Sequence, residues 1–341
     1  MTTTIYNILV LTNHSSHTKE NSVYSLVNTI KGHPQCGHLF VASRGNSKND
    51  SFFNSAAKTP IYAHKIEEKF EYQEADKSDL VLKAKPIEYG DFDIIFLRLA
   101  RPLSDEFLIW LQQSFPDKII INNPQGIIKT SSKEYLLNFP ELCPEMQLVS
   151  SIEEIKNFTK KYKTVLKPLR DYGGRGILMI DGDEVDLGTE KVSLDDYLHT
   201  LQQNLEQSPY LAMKYLKNVS QGDKRILVVN GKIMASSLRL PPEGSWLCNV
   251  AQGGSSVQSE VTKEEEEIVE AISPNLLEKG IVFCGVDTLV NDEGKRVLSE
   301  INTMSIGGFM QSDAQTGKPV LKDSIKEFFK YINTENDKRK Q

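Results

Sequence analysis

Apolar positions along this chain recur in two rhythms, and the change from one to the other marks its elements. Residues 5–12 are a short apolar run that reads as a strand. After a polar turn at 13–19, Val23, Leu26, Val27 and Ile30 return at helical spacing, which predicts a helix covering one face of a sheet. Residues 93–98 and 118–121 read as further strands, and Phe107, Leu108 and Leu111 between them mark a helix opening near Ser104. Strand, helix and strand on this scale predict a mostly parallel α/β unit over residues 1–122. Residues 42–60 are rich in Ser, Asn and Lys with few apolar anchors, and read as a loop or a poorly ordered excursion.

A small central unit is expected over 123–207. Ser151 followed by Glu154 has the form of a capping box ahead of Ile155 and Phe158. Residues 165–167 and 177–180 read as strands joined by a glycine-rich turn. Ser193 with Asp196 caps a helix carrying Leu194, Leu198, Leu201 and Leu205. A third unit, 208–335, resumes with strand-like runs at 210–215, 225–229 and 232–236, and Asn230-Gly231 is a two-residue hairpin signal. Thr262 with Glu265 opens a helix bearing Ile268, Val269 and Ile272, which Gly280 closes and Ser273-Pro274 should kink or divide. The acidic run at 263–267 is then a solvated helix face. A last helix over 325–332 leads into a charged tail, expected to fray from residue 333 and lying outside the folded units at 336–341.

Length and charge narrow the function. The 341 residues suffice for two or three modest domains. A net charge of -6 argues against wide contact with a nucleic-acid backbone, while leaving local cations free to serve a small anion. The four cysteines, Cys36, Cys143, Cys248 and Cys284, have no paired or metal-like spacing and read as free thiols of a reducing cytoplasm, with Cys284 in the core. No run reaches the roughly 18 apolar residues of a membrane span, and the N-terminus lacks the pattern of a signal peptide. The six histidines propose no metal or nucleophile site.

The chemistry concentrates near the C-terminus. Glu300 and Asn302 stand two apart and share one face of their strand; Asp287 can approach them from the strand before. Oxygen ligands so grouped suit hard divalent cations carrying a polyphosphate, although a carboxylate cluster paired with Arg or Lys would look the same. Upstream, Lys133, Lys167, the glycine-rich 171–176 and Asp223-Lys224-Arg225 supply cations and backbone donors. Each has a plainer reading on its own: a surface lysine, a tight turn, a charged turn. Arg225 enters an apolar run that would pack its stem and leave its fork for phosphate, and Arg239 equally needs an anion, from the protein or a substrate. Together these residues point to an ATP-dependent enzyme.

In their order these blocks resemble the ATP-grasp superfamily, and within it the bacterial glutathione synthetase family. The pattern runs through Asn-Pro-Gln-Gly at 123–126 and Lys133, Val-Leu-Lys-Pro-Leu at 165–169, Gly-Gly-Arg-Gly-Ile at 173–177 and Gly-Asp-Lys-Arg at 222–225. It continues with Arg-Leu-Pro at 239–241, Asn-Val-Ala-Gln-Gly-Gly at 249–254, 280–287 and Glu-Ile-Asn at 300–302, and covers roughly residues 90–310. The resemblance implies an ATP-grasp fold behind an N-terminal Rossmann-like α/β domain. It implies ATP held by Lys133, Lys167, Gly173, Gly174, Gly176, Asp223 and Arg225, with adenine lined by Met213, Lys214, Tyr215 and Leu216. It implies Mg²⁺, two ions with Mn²⁺ as a substitute, on Asp287, Glu300 and Asn302. Arg225, Lys167, Arg239 and Asn249 would serve the reaction under a loop over 241–254.

That reaction would be carboxylate–amine ligation through an acyl phosphate, with γ-glutamylcysteine and glycine as the family's pair. The implied partners are amino acids or small peptides, with no nucleic acid and no membrane; a homo-oligomer is left open. The chain departs from the family pattern at Thr12-Asn13, at 98–102, at Leu247, at Ser255-Ser256 and at 303–309. A pocket with Trp246, Leu247 and Phe309 would be less polar than the family's. Three alternatives therefore stand: a ligase for another amino acid or peptide pair, an enzyme glutamylating a protein tail, and a nucleotide-binding protein without turnover.

Overall fold

A computed structural model of the chain describes residues 4–171, 175–188, 190–202, 205–241 and 255–340. Three sheets follow one another along the sequence. The first contains β1 (Tyr6–Thr12), β2 (Cys36–Ser43), β3 (Ile61–Lys65), β4 (Lys85–Ile87), β5 (Ile94–Arg98) and β6 (Ile119–Ile121) in the order β4-β3-β2-β1-β5-β6. Its β2, β1, β5 and β6 are parallel, and β3 and β4 extend it antiparallel. Val23, Leu26, Val27 and Ile30 are buried along the helix Ser22–Lys31, and Ser104 caps the helix Asp105–Ser114 through the Phe107 amide.

The second sheet is antiparallel. It contains β7 (Met146–Val149), β8 (Thr164–Pro168), β9 (Leu178–Asp181), β10 (Glu184–Asp186), β11 (Lys191–Ser193) and β12 (Tyr210–Lys214), in the order β11-β10-β9-β8-β12-β7. The capping box at Ser151 and Glu154 forms, and the Ser193 side chain accepts from the Asp196 amide. The expected boundary at 207/208 needs correction, because β12 lies between β8 and β7 and belongs to the central sheet. Its run of three buried residues, Leu211 to Met213, would look alike in either sheet, so only strand pairing assigns it.

The third sheet, also antiparallel, contains β13 (Asp223–Val229), β14 (Lys232–Leu240), β15 (Ser255–Gln258), β16 (Phe283–Val290) and β17 (Arg296–Asn302), in the order β15-β14-β13-β16-β17. Asn230 and Gly231 turn the β13–β14 hairpin with φ of 51° and 73°, the twin left-handed geometry that a two-residue loop requires. The helix Lys263–Glu278 carries the expected Thr262–Glu265 capping box and runs through Pro274 without being divided.

Two other expectations fail for physical reasons. Residues 42–60 are ordered by buried asparagines: Asn46 donates to Leu80 O (2.9 Å), while Asn49 donates to Tyr62 O (2.9 Å) and accepts from the Tyr62 amide (2.8 Å). Phe52 and Phe53 then anchor the segment in the core. The charged C-terminus does not fray at residue 333 either. It continues the helix Val320–Lys340, and Arg339 docks that end by donating to Asp117 O (2.9 Å) and Lys118 O (3.0 Å). No helix among the described residues is long and apolar enough to cross a membrane.

Asn122, just after β6, fastens the first sheet to the third. Its amide nitrogen donates to Phe283 O (2.7 Å) and Thr303 O (2.8 Å), and its oxygen accepts from the amides of Val282 and Phe283 (both 2.9 Å). Asn122→Leu should therefore destabilise the fold by about 3 kcal/mol or more, because it strands buried backbone groups; urea denaturation measures the loss. A second test uses Glu327 of the last helix. Burial opposes its ionisation, but hydrogen bonds from Lys330, Lys232 and Asn230 outweigh this and hold the carboxyl below its ordinary range. A depressed carboxyl pKa stabilises the fold above its unfolded value and loses that contribution as pH falls through the folded one. The stability gap between wild type and Glu327→Gln should thus be full at about pH 7 and shrink below about pH 4.5.

Candidate active site

Register across the third sheet assembles the site. Arg225 on β13 stands opposite Asp287 on β16, and Asp287 opposite Glu300 on β17; Asp223 faces Arg239 on β14, and Gly285 faces Asn302. Directly opposed residues of antiparallel strands share a face, so all six polar side chains rise from one side. Ile226, Val286 and Ile301, one step along, turn to the other side and pack with Ile268 and Ile272 of the covering helix. Gly285 is part of the design. A Cβ there would come 2.9 Å from Arg225 Cδ, so the glycine lets the arginine lie across β16.

Asp287 is the electrostatic centre. It is 1% exposed, and both oxygens are engaged: Arg225 Nε donates to Oδ1, and Arg225 Nη2 (2.8 Å) and Arg239 Nη2 (2.8 Å) approach Oδ2. Asn302 Nδ2 adds a longer contact to Oδ2, 3.2 Å. Burial alone would raise the Asp287 pKa, but the two guanidiniums overcome it and hold the carboxyl at about 2. Arg239 Nη2 also donates to Asp223 Oδ2 (2.6 Å), whereas Asp223 Oδ1 and Arg239 Nε are buried without a partner. Burial and the neighbouring Asp287 charge push Asp223 up to about 6 despite Arg239. The fork of Arg225, expected to be free for phosphate, is thus occupied by a protein carboxylate, because β13 and β16 pair at that point.

The second sheet supplies the facing wall. Leu166 and Ala212 turn into that unit's own core, so Lys167 turns away and its Nζ reaches Ser299 O (3.3 Å) on β17. Lys133 heads the 3-10 turn Lys133–Asn138 and is 6% exposed, which excludes the surface reading. Its Nζ lies 3.5 Å from Glu300 Oε1 and also donates to Asp171 O at the start of the glycine-rich segment. Burial and the neighbouring Lys133 lower the Lys167 pKa, and Glu300 opposes them. Gly176 has φ 67°, and a Cβ there would meet Pro168 at 2.9 Å, so the turn needs glycine at that position.

Met213 to Leu216 leave β12 beside this wall, with Met213 and Leu216 buried. The amides of Lys214 and Tyr215 already donate to Glu145 O (2.8 Å) and Lys163 O (2.7 Å). A base at this segment would be read through a carbonyl or through Leu216. Sequence reasoning missed these supports: Lys163 Nζ sits 4.5 Å from the Tyr215 ring centroid, and Lys214 pairs with Asp292 and Glu145 (both 3.4 Å). No local pattern announces contacts so distant along the chain. Gly173, Gly174, Trp246, Leu247 and Asn249 lie outside the described residues. Phe309 is not a pocket wall: it is fully buried against Phe283, with ring centroids 5.9 Å apart.

The arrangement fits the groups it would have to hold. Among the described residues no trio of His, Cys, Asp and Glu forms a closed metal cage. Two carboxylates and a carboxamide on one face instead suit a hard cation that completes its shell with phosphate oxygens and water. Two lysines converging on the same edge suit the phosphates. The ion network makes a prediction of its own. Arg239→Met, which leaves Asp223 and Asp287 short of a counter-charge, should cost about 3–5 kcal/mol. Adding Asp223→Asn should restore a measurable part in denaturation experiments, and a purely additive double variant would contradict the network.

Comparison with known proteins agrees with this geometry. Residues 132–317 match the model of the ATP-grasp domain of prokaryotic glutathione synthetase. A glutathione synthetase of Nostoc is 30% identical over 249 residues, 72% of this chain and 73% of the relative. That of Brucella melitensis is 29% identical over 257 residues, 73% and 78% of the two chains. In fold, the chain is similar to the D-alanine–D-alanine ligase of Coxiella burnetii (TM-score 0.65, 13% identity, 98% and 96% covered). It is similar also to a D-cycloserine synthetase (TM-score 0.63, 11% identity, 94% and 98% covered). The polar face of the third sheet, the lysines set against it and the match over 132–317 together make the chain a member of the prokaryotic glutathione synthetase family of ATP-grasp ligases.

Proposed function

We propose that the protein is an ATP-dependent carboxylate–amine ligase that forms a peptide-like bond, with γ-glutamylcysteine as donor and glycine as acceptor. The observation that carries the reading is the convergence of Lys133, from the 3-10 turn Lys133–Asn138, and Lys167, from the second sheet, on Glu300 and Ser299 of the third. Phosphates lying in that cleft would meet both ammonium groups, while adenine rested beside Met213 to Leu216. Asp287, Glu300 and Asn302 would hold Mg²⁺, one ion or two, or Mn²⁺ in its place; bound there, the metal would neutralise phosphate charge. Lys167 and Arg225 would spread the charge that develops as a substrate carboxylate takes up the phosphoryl group. The acceptor amine would then displace phosphate from the acyl phosphate, leaving an amide. Arg225 must exchange Asp287 for phosphate to take that part. Arg239 and Asn249 would serve the reacting end of the donor.

The partners in this reading are small amino-acid or peptide substrates in the cytoplasm. A ligase for a different amino-acid pair is the second reading, favoured by residues 98–102 and 303–309, where the chain departs from the family pattern.

Glu300→Gln should keep the fold and lower turnover by at least about a hundredfold at limiting Mg²⁺, because one metal-binding charge is lost. Near-wild-type rates there would remove Glu300 from the site. Lys167→Ala should weaken ATP binding and slow the phosphoryl step, and unchanged ATP kinetics would exclude that role. A screen of donor and acceptor pairs, reading phosphate release and product mass, separates the readings. Turnover of another pair with γ-glutamylcysteine and glycine inert would overturn the substrates and keep the ligase.

A further inference from the structure

Among the described residues three lysine and arginine side chains are buried outright: Arg98 (7% exposed), Lys133 (6%) and Lys224 (3%). Lys224 lies 2.7 Å from Glu265, and Lys133 lies 3.5 Å from Glu300. Arg98 has no such partner: among the described residues no carboxylate lies within ion-pair distance of it. Its guanidinium donates to Ile306 O (2.6 Å) and lies 5.6 Å from the centroid of the Phe96 ring. Burial, with nothing to offset it, pulls its pKa down to about 10. A desolvated guanidinium without a counter-ion is costly, and an anion is the natural relief.

Its position is where such an anion would bind. Arg98 ends β5 opposite Thr12, the end of β1. From β1 the chain passes to β2 on one side, and from β5 to β6 on the other, so the carboxyl ends of β1 and β5 flank the point where the winding reverses. Ligands of parallel α/β sheets sit in that crevice. The segments that form the rim, residues 12–17, 43–46, 98–103 and 303–309, contain Arg44, Arg98, Arg101, His14 and His17 and no Asp or Glu, in a chain whose net charge is -6. The nearest acids along the sequence are Asp105, which is paired with Arg170 at 2.7 Å, Glu20, which is exposed, and Glu300, which faces Lys133 at 3.5 Å.

The other rim groups are already engaged and act as scaffold. His14 bonds Ser43 Oγ (2.6 Å) and Ala75 O (3.0 Å); His17 bonds Thr12 Oγ1 and the Tyr24 hydroxyl (both 3.0 Å). Arg44 donates to Ala100 O (2.9 Å) and Pro102 O, holding the 98–102 segment against β2. Ser305 Oγ donates to Leu99 O (2.7 Å), and the Gly308 amide donates to Ser22 Oγ (3.2 Å). Residues 303–309 thus lead from the candidate metal ligands straight to this rim. Ile306 is four residues past Asn302, at most about 14 Å of chain, and a γ-glutamyl dipeptide between its two carboxylates spans about 10 Å.

We propose that the rim centred on Arg98 binds the far carboxylate of the donor substrate, the one that does not react, and offers no carboxylate to an ammonium beside it. The inference rests on the ligase reading, and it specifies the donor class: a molecule with a free carboxylate at its distal end, whether or not an amine accompanies it.

Three donors test this on the wild-type protein: γ-glutamylcysteine, its glutamyl α-carboxamide, and glutaryl-cysteine, which keeps the distal carboxylate and lacks the amine. Binding is read by calorimetry with ADP and Mg²⁺ present, and KM and kcat by phosphate release with ATP and glycine. The carboxamide should bind at least about tenfold more weakly, the value of one charge-assisted hydrogen bond, with kcat changed less. Glutaryl-cysteine should stay within about threefold of γ-glutamylcysteine. In Arg98→Met the preference for acid over amide should vanish, and in Arg98→Lys it should partly return. Equal binding of acid and amide by the wild type, or no binding of γ-glutamylcysteine, overturns the inference, as does a preference that survives in Arg98→Met. Binding without phosphate release overturns the ligase reading alone. The comparison of ligands needs no variant, so it stands even if Arg98→Met does not fold.

Discussion

A buried carboxylate held by two guanidiniums is the constraint around which the rest of the site is arranged. Asp287 can ionise in a place that water hardly reaches because Arg225, from the adjacent strand β13, and Arg239, from β14 one strand farther out, both meet it. Those contacts follow from antiparallel register: a one-residue slip of β16 would turn Asp287 into the covering helix and bring Val286 out among the charges. The alternation that buries Ile226, Val286 and Ile301 is therefore the same feature that gathers Asp223, Arg225, Arg239, Glu300 and Asn302. Core packing and site chemistry share one register, so neither can shift alone.

The network also has consequences for loading. Both oxygens of Asp287 are already engaged. A cation at Asp287 must share or displace guanidiniums, and a displaced Arg225 or Arg239 becomes available to a phosphate or substrate anion. Asp223 Oδ1 and Arg239 Nε, buried without partners, mark the side on which the network is incomplete. On the facing wall Lys133 and Lys167 crowd two positive charges together, with Glu300 to balance them, an arrangement that favours the arrival of further negative charge.

The three sheets are tied together by polar side chains at their junctions as much as by apolar burial. Asn122 bonds four backbone groups across the first and third sheets, and residues 303–309 run from the end of β17 back to the carboxyl ends of β1 and β5. The candidate nucleotide site and the crevice at Arg98 are in this way the two ends of one continuous wall.

Local physics alone settled much of this protein. The two capping boxes, the Asn230-Gly231 hairpin, the apolar stripe of the helix Ser22–Lys31 and the shared face of Glu300 and Asn302 all depend on neighbours within four residues, so the sequence carries them whole. Motif order was enough for the family as well. Tertiary structure decided what depends on partners far along the chain. It moved β12 into the central sheet, ordered residues 42–60 around Asn46 and Asn49, and extended the last helix to Lys340 where Arg339 finds the Asp117 and Lys118 carbonyls. It buried Phe309 and Lys133, and it closed the fork of Arg225 on Asp287. Among the described residues it also left Arg98 buried without a carboxylate partner. Sequence lists the charges, but only the fold determines which are taken out of water and whether a counter-charge goes with them.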